Sequence, residues 1–141
     1  ARLAVHEAKL EGYDGALMLT PDDYVSEAPI ACFFMVRDGV LTTPSCSSNI
    51  LESITRDTII TRYKELTGLE VVQRSIDRSE LYFAEEAFLC GTGQEIIPVT
   101  SIDHFEVGDG SVGPLTQRIS RDYFDLVRGN IDDHAQWRTL I

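Results

Sequence analysis

The sequence of 141 residues predicts one mixed α/β domain, spanning residues 1–141, in which helices and strands follow one another without regular alternation. A chain of this length favours a single domain over two. Short apolar runs bounded by turn residues predict strands, and longer segments with apolar residues at helical spacing predict helices. Hydrophobic residues make up 43% of the chain and charged residues 25%, so we expect a globular fold with a buried core.

The first third of the chain predicts a helix, a strand and a hairpin. The opening segment is rich in helix-forming residues and stops at Gly12, a residue typical of helix C-caps. Residues 16–19 predict a short buried strand, and residues 20–23 predict a turn. Residues 32–37 and 40–43 are apolar runs on either side of an Asp-Gly pair. This arrangement is a strong signal for a β-hairpin.

The middle of the chain predicts a second helix after a polar loop. Residues 44–49 are rich in serine, and Ser53 is a natural N-cap for a helix over residues 54–66. Gly68 ends that helix, and residues 69–74 predict a strand.

The last part of the chain predicts a short helix, two strands and a long helix. Asp77 opens the short helix, and residues 86–90 and 96–99 predict strands. The proline within the later strand favours a position at a sheet edge or in a bulge. Residues 108–110 form a Gly-Asp-Gly turn, after which Pro114 suits the first position of the long helix.

The charge of the chain argues against nucleic acid as a partner. The formal net charge is −11, and the 12 basic residues (ten Arg, with Lys9 and Lys64) are scattered among acids. A surface that tracks phosphates needs clustered basic residues, although a local site for one small anion is compatible with this pattern. No apolar run approaches the length of a membrane-spanning helix, so we expect no membrane partner.

The cysteines predict free thiols rather than a metal site. Cys32, Cys46 and Cys90 are too few and too far apart for a zinc framework, and their odd number suits a reducing compartment such as the cytoplasm. We therefore expect no metal, and we expect the thiols to be buried or half-buried.

Three short segments are candidate binding sites. Glu27 lies in a largely apolar stretch, where a carboxylate needs a partner; the alternative is a surface glutamate at the end of a strand. The free N–H groups of Ile54 and Thr55 would lie at a helix N-terminus, where anions bind; the alternative is simple capping. The turn of Thr92 and Gly93 exposes N–H groups and a hydroxyl that could hold a phosphate; the alternative is a plain tight turn.

Taken in order, these segments resemble the fold-type IV pyridoxal-phosphate enzymes, and most closely the branched-chain amino acid aminotransferases. The resemblance covers about residues 7–129. Residues 11–17 resemble the family's Gly-Tyr-Asp-Glu-Ala-Leu, and residues 24–27 its Tyr-Val/Ile-Ala/Ser-Glu. Residues 51–57 resemble Leu-Pro-Gly-Ile-Thr-Arg-Asp, and residues 91–99 resemble Gly-Thr-Ala-Ala-Glu-Ile-Thr-Pro-Val. Further matches lie at residues 80–89 and 108–116.

The resemblance implies a fold, a cofactor and a role for each candidate residue. The fold is the pseudo-β-barrel large C-terminal domain of these enzymes, with flanking helices. Glu27 would face the pyridine nitrogen of pyridoxal 5'-phosphate and keep the ring protonated, and Leu51 would pack on the ring. The phosphate would be held by the backbones of Ile54 and Thr55 and by the Thr92 hydroxyl, and the substrate carboxylate would be received by Thr92 and Gly93.

The implied activity is transfer of an amino group between a branched-chain amino acid and 2-oxoglutarate, as in branched-chain amino acid biosynthesis. The resemblance implies a cytoplasmic homodimer. D-amino acid aminotransferase and aminodeoxychorismate lyase share the same scaffold, and the Gly-Pro-Leu-Thr segment at residues 113–116 favours the branched-chain group.

The sequence departs from the family pattern after Glu27. Residues 28–32 read Ala-Pro-Ile-Ala-Cys, where the family usually reads Gly-Ser/Ala-Gly-Glu-Asn. The missing glutamate and asparagine put the usual hydrogen bonding near the cofactor and the substrate preference in question. Glu52 and Ser53 replace Pro-Gly, and Gly93 replaces an alanine.

The family's Schiff-base lysine has no counterpart in this sequence. Counting back along the resemblance places that lysine a few residues before Ala1, and neither Lys9 nor Lys64 matches its position. The first segment is helical in character from Ala1 and has no capping residue before it, so we expect a chain cut from a longer enzyme. We expect no catalytic residue in this chain, no activity from it alone, and a small N-terminal domain in a missing segment. The alternative is a non-catalytic domain that binds a phosphate ligand or a protein partner.

Overall fold

The computed structural model describes residues 2–51 and 53–138, which form a five-stranded sheet covered on both faces. The α-helices of this part of the chain are α1 (Arg2–Leu10), α2 (Ile54–Thr67) and α3 (Pro114–Val127). The strands are β1 (Cys32–Arg37), β2 (Val40–Thr43), β3 (Val72–Gln73), β4 (Glu86–Gly91), β5 (Glu95–Pro98), β6 (Ser101–Ile102) and β7 (Phe105–Glu106). Short 3₁₀-helices lie at Cys46–Ser48, Arg78–Phe83 and Ala135–Trp137. No helix in the described ranges is long and apolar enough to cross a membrane.

The sheet is antiparallel except at one edge, with the strand order β3-β2-β1-β4-β5. β3 pairs with β2 in parallel, and β6 and β7 form a separate hairpin. In the centre, Cys32 of β1 lies opposite Cys90 of β4. This register brings the start of β1 and the end of β4 to the same end of the sheet.

Both faces of the sheet are buried, and successive residues of β1 alternate between them. Phe34 and Val36 point toward α2 and α3, whereas Phe33 and Met35 point toward the segments on the opposite face. The ring of Phe34 stacks on Phe88, with 5.0 Å between centroids. The helix-side cluster also contains Cys32, Leu41, Ile59, Tyr63, Val71, Cys90 and Ile119. The opposite cluster also contains Val25, Ile76, Leu81, Ala84, Ala87 and Val107.

The main predicted elements are confirmed, together with the local signals that define them. Asp38 and Gly39 both have positive φ, 51° and 74°, as a two-residue type I′ hairpin turn requires. Ser53 caps α2, its side chain accepting the N–H of Arg56, and Pro114 occupies the first position of α3. The proline of the later strand lies in β5 at the sheet edge, as expected.

The prediction of a strand over residues 16–19 is wrong. Within this segment only Leu19 forms a β-bridge, to Val25. Met18 makes two backbone hydrogen bonds: its N–H donates to the Glu27 carbonyl (2.8 Å), and its carbonyl accepts the N–H of Ser26 (2.9 Å). The segment is extended, but it is not part of a sheet.

Three further details differ from the predictions. The strand predicted over residues 69–74 shortens to β3, with two residues. The hairpin of β6 and β7 was not predicted, because each strand has two residues and the turn contains Asp103 and His104 in place of a glycine pair. The first helix ends at Leu10, with Gly12 (φ 85°) in the left-handed turn that follows.

Glu80 joins the central sheet to the short helix Arg78–Phe83. Its carboxylate receives two bonds from Arg74 (2.7 and 2.9 Å), a bond from Arg37, and the backbone N–H of Asp77 at 2.9 Å. The hydrogen bonds from Arg74 are the main reason that the pKa of Glu80 falls to about 2. The Glu80 carboxylate is therefore charged at neutral pH and in mild acid.

We predict that Glu80→Gln lowers the free energy of unfolding at pH 7 by roughly 1–2 kcal/mol, since the arginines are partly exposed and water screens them. Because folding depresses this pKa, the stabilisation is fully present above the ordinary carboxyl range and is lost as the pH falls from about 5 toward 2. Urea unfolding of both proteins at several pH values measures it. Glu70→Gln, which breaks an exposed pair with Lys64, is the control and should change little; equal losses for the two variants would contradict this account.

Candidate functional site

The carboxylate of Glu27 is fixed to the backbone of Leu51. Its Oε2 accepts the Leu51 N–H at 3.0 Å, which supplies the partner that the half-buried carboxylate needs. The Leu51 carbonyl accepts a bond from the Cys32 thiol, with 3.8 Å from Sγ to oxygen. The backbone of Leu51 is thus held at both its N–H and its C=O, while its side chain is 77% exposed.

The N-terminus of α2 begins immediately after this contact. Ser53 is extended, and it satisfies two of the first backbone donors: its Oγ accepts the N–H of Arg56 (3.3 Å) and its carbonyl accepts the N–H of Asp57 (3.0 Å). Among the described residues, the N–H groups of Ile54 and Thr55 donate no hydrogen bond to a protein acceptor. Free N–H groups at a helix N-terminus attract anions.

The N-terminus of α3 is closed by the protein itself. Oxygens of Glu86 accept the N–H groups of Leu115 (3.3 Å) and Thr116 (2.8 Å). The carboxylate lies so close that a Cβ on Gly113 would be 2.1 Å from the Glu86 Cδ. The Gly-Pro-Leu-Thr segment is therefore explained by an internal cap. Among the described residues, α2 differs from α3 in that its first two N–H groups have no such protein acceptor.

Buried polar groups hold the first turn of α2 in place. Thr55 is buried, and its Oγ1 lies 3.4 Å from the hydroxyl of Tyr123 on α3. Arg56 is 2% exposed and donates Nη2 bonds to the carbonyl of Pro44 (3.2 Å) and to the side chain of Gln73 (3.0 Å). Arg56 thereby adds a buried positive charge to the turn and anchors it to the edge of the sheet.

Two of the three cysteines, Cys32 and Cys90, lie beside this site. Cys32 and Cys90 are buried, face each other across β1 and β4, and are free thiols as predicted. A hydrogen bond with Cys32, together with burial, raises the pKa of the Cys90 thiol. Cys46 is exposed, which corrects the expectation of a buried or half-buried thiol, because it lies in the short 3₁₀-turn of a surface loop. Residues 2–51 and 53–138 contain no group of three or more acidic, His or Cys side chains arranged for a metal.

Thr92 and Gly93 form the exposed turn between β4 and β5. The preceding residue, Gly91, lies against the backbone of Ile30, since a Cβ added at Gly91 would be 2.9 Å from the Ile30 carbonyl oxygen. This close approach fixes the position of the turn relative to the segment that follows Glu27.

The six residues predicted from the sequence lie at one end of the sheet, but only some of them touch. Glu27 and Leu51 share a hydrogen bond, and Ile54 and Thr55 follow them along the chain. Within the described ranges, no hydrogen bond connects Thr92 or Gly93 to those four residues.

Sequence reasoning missed three supporting side chains. The structural roles of Cys32, Arg56 and Glu86 were not predicted, because each acts on backbone atoms far away in sequence: Leu51, Pro44 and Thr116. The one available signal was the position of Glu86, an acid at the start of an apolar strand, which calls for a partner.

The fold and this arrangement define a mixed α/β domain that presents a fixed carboxylate beside an open helix N-terminus. A family model described as Amino-transferase class IV matches residues 1–102. The chain belongs to this family.

The relatives and solved structures agree with this assignment. The chain is 43% identical over 139 residues to a probable branched-chain-amino-acid aminotransferase of Aquifex aeolicus, covering 99% of this chain and 45% of that protein. It is 48% identical, with a TM-score of 0.94, to the branched-chain amino acid aminotransferase of Thermobaculum terrenum in its PLP-form, covering 98% of this chain and 45% of that one. The branched-chain amino acid aminotransferase of Escherichia coli gives 43% identity and a TM-score of 0.89, with 94% of this chain and 43% of that one covered.

The resemblance read from the sequence and the predicted fold class are therefore confirmed. The chain spans less than half the length of the relatives that it matches.

We predict that Gly91→Ala destabilises the protein by about 1–3 kcal/mol, because the added methyl group meets the backbone carbonyl of Ile30, which cannot rotate away. Gly93→Ala is the matched control, two residues further on, where a Cβ has no atom within 4 Å. Thermal unfolding of the two variants measures the difference. Equal melting temperatures would show that the two turns do not press on each other as described.

Proposed function

We propose that this chain is part of a pyridoxal 5'-phosphate-dependent branched-chain-amino-acid aminotransferase and supplies the surface that binds the pyridine and phosphate groups of the cofactor. The observation that carries this proposal is the carboxylate of Glu27, fixed on the Leu51 N–H just before the open N-terminus of α2. Family membership and the names of the relatives support it. Because the chain spans under half of those relatives, the activity is assigned to the whole protein.

The open end of α2 fits a phosphate group. The N–H groups of Ile54 and Thr55 supply two donors, and the helix dipole and the buried Arg56 favour negative charge there. We assign the phosphate to these donors and to the hydroxyl of Thr92, which is exposed in the neighbouring turn.

Glu27 fits the pyridine nitrogen. One carboxylate oxygen is occupied by Leu51, and in the described residues no partner contacts the other oxygen, Oε1. We assign to this carboxylate the role of holding a proton on the ring nitrogen, and to the exposed side chain of Leu51 that of packing on the ring. When bound, the cofactor supplies an electron-accepting ring for the transfer of the amino group.

The turn of Thr92 and Gly93 is assigned to the carboxylate of the amino acid or 2-oxo acid substrate, since both residues are exposed and offer a hydroxyl and backbone N–H groups. The lysines of this chain lie elsewhere: Lys9 is exposed on α1, and Lys64 pairs with Glu70 at 2.6 Å beyond the middle of α2. We therefore infer that residues 1–141 form the large domain and that the lysine reacting with the cofactor belongs to another part of the protein. We also propose that the whole protein is a cytoplasmic homodimer, as the resemblance implies.

Ile54→Pro tests the phosphate site without removing a helix. Proline lacks the N–H but is favoured at the first helical position, and Ser53 already has the extended backbone that proline requires before it. We predict that the dissociation constant for pyridoxal 5'-phosphate rises about tenfold in the full-length protein, as expected for the loss of one charge-assisted hydrogen bond. A titration that follows cofactor absorbance measures it.

Ile54→Ala keeps the N–H, and because the isoleucine side chain is 84% exposed, this control should bind the cofactor as the wild type does. If proline and alanine at position 54 have the same effect, the backbone donor has no role in binding the phosphate.

Glu27→Gln tests the pyridine end. Glutamine keeps an oxygen for the Leu51 N–H but removes the negative charge, so we predict a decrease in kcat/KM for leucine and 2-oxoglutarate of about 10–100-fold in the full-length protein. Steady-state kinetics measure it, with Glu11→Gln, an exposed acid after α1, as the control. Unchanged kinetics in Glu27→Gln would contradict the proposed role.

A further inference from the structure

Ile30 is a large apolar residue on the surface beside the proposed site. It lies at the tip of a two-residue turn with Pro29, closed by bonds between Ala28 and Ala31: N–H to carbonyl at 2.8 Å in one direction and 3.3 Å in the other. Both alanines are buried, whereas Ile30 is 73% exposed. The turn is therefore anchored at its base and projects one side chain.

This turn lies between the two ends of the proposed site. Glu27 precedes it directly, and the carbonyl of Ile30 lies against Gly91, the residue before Thr92. Ile30 thus shares one end of the sheet with the exposed side chains of Leu51 and Ile54. The Leu51 side chain is assigned to the cofactor ring and Ile54 contributes only its backbone N–H, whereas no part of Ile30 has been assigned a role.

We propose that the Ile30 side chain forms an apolar wall against the side chain of the amino acid substrate and limits its size. The inference rests on the proposed function and deepens it by naming a residue that makes the site prefer aliphatic amino acids to aromatic ones.

The wall is rigid for two reasons. The adjacent proline fixes one backbone dihedral of the turn, and isoleucine, being β-branched, has few side-chain rotamers. The contact of Ile30 with Gly91 prevents the turn from moving toward β4. An aromatic substrate side chain would therefore clash with a rigid surface, whereas a smaller branched aliphatic side chain would pack against it.

The test is equilibrium binding of two carboxylates that lack amino and oxo groups and so cannot react: 4-methylpentanoate and 3-phenylpropanoate. Their dissociation constants are measured by calorimetry on the full-length protein loaded with pyridoxal 5'-phosphate. The variants are Ile30→Gly and Ile30→Ala. The control is Leu69→Ala, which truncates a 58% exposed apolar side chain beyond the other end of α2.

We expect the wild type to bind 4-methylpentanoate more tightly than 3-phenylpropanoate. In Ile30→Gly, the ratio of the two dissociation constants shifts toward 3-phenylpropanoate by at least about tenfold. Ile30→Ala gives an intermediate shift, and Leu69→Ala gives none. Since Ile30 is exposed, melting temperatures should remain close to that of the wild type.

A ratio that stays within about twofold of the wild type in Ile30→Gly overturns this inference and leaves the proposed function standing. Failure of the wild type to bind pyridoxal 5'-phosphate at all overturns the proposed function, and the inference with it.

Discussion

The backbone of Leu51 connects the two parts of the candidate site. Its N–H bonds to the carboxylate of Glu27 at 3.0 Å, and its carbonyl receives the thiol of Cys32. Because Cys32 begins the central strand and Leu51 lies three residues before α2, these two contacts set the distance between the carboxylate and the helix N-terminus. A cofactor that has a charged nitrogen at one end and a phosphate at the other requires such a fixed distance.

The sheet makes this connection stiff. β1 is buried on both faces and pairs with β2 and β4, so its first residue has little freedom to move. Arg56 fixes the other side, since its buried guanidinium binds the carbonyl of Pro44 at the end of β2. The first turn of α2 is thereby tied to the same sheet as β1, the strand that follows Glu27 along the chain.

The N-termini of the two long helices differ in how their backbone N–H groups are bonded. At α3, the carboxylate of Glu86 on β4 accepts the N–H groups of Leu115 and Thr116, so the start of this helix is bonded to the sheet. At α2, Ser53 satisfies only part of the donors. Within the described residues, the remaining N–H groups are directed at no protein acceptor, which is the condition for binding an external anion.

Local signals in the sequence predicted most of the elements and the order of the candidate residues. The Asp-Gly turn, the Ser53 cap and the proline at the start of α3 act over a few residues, and each was placed correctly. Contacts between distant residues could not be predicted in this way: Glu27 finds its partner 24 residues away. The same limit explains why the cap by Glu86 was missed. The strand predicted over residues 16–19 is wrong for another reason: these residues are apolar because they cover the sheet, not because they belong to it.

The central claim is that the free N–H groups of α2 receive the phosphate, and it can be tested at those atoms. The measurement is an amide NMR titration of the full-length protein with pyridoxal 5'-phosphate. We predict that the amide resonances of Ile54 and Thr55 shift strongly, while those of Leu115 and Thr116, already bonded to Glu86, stay in place. Binding of the cofactor without a shift at Ile54 and Thr55, or with equal shifts at both helices, would contradict the account.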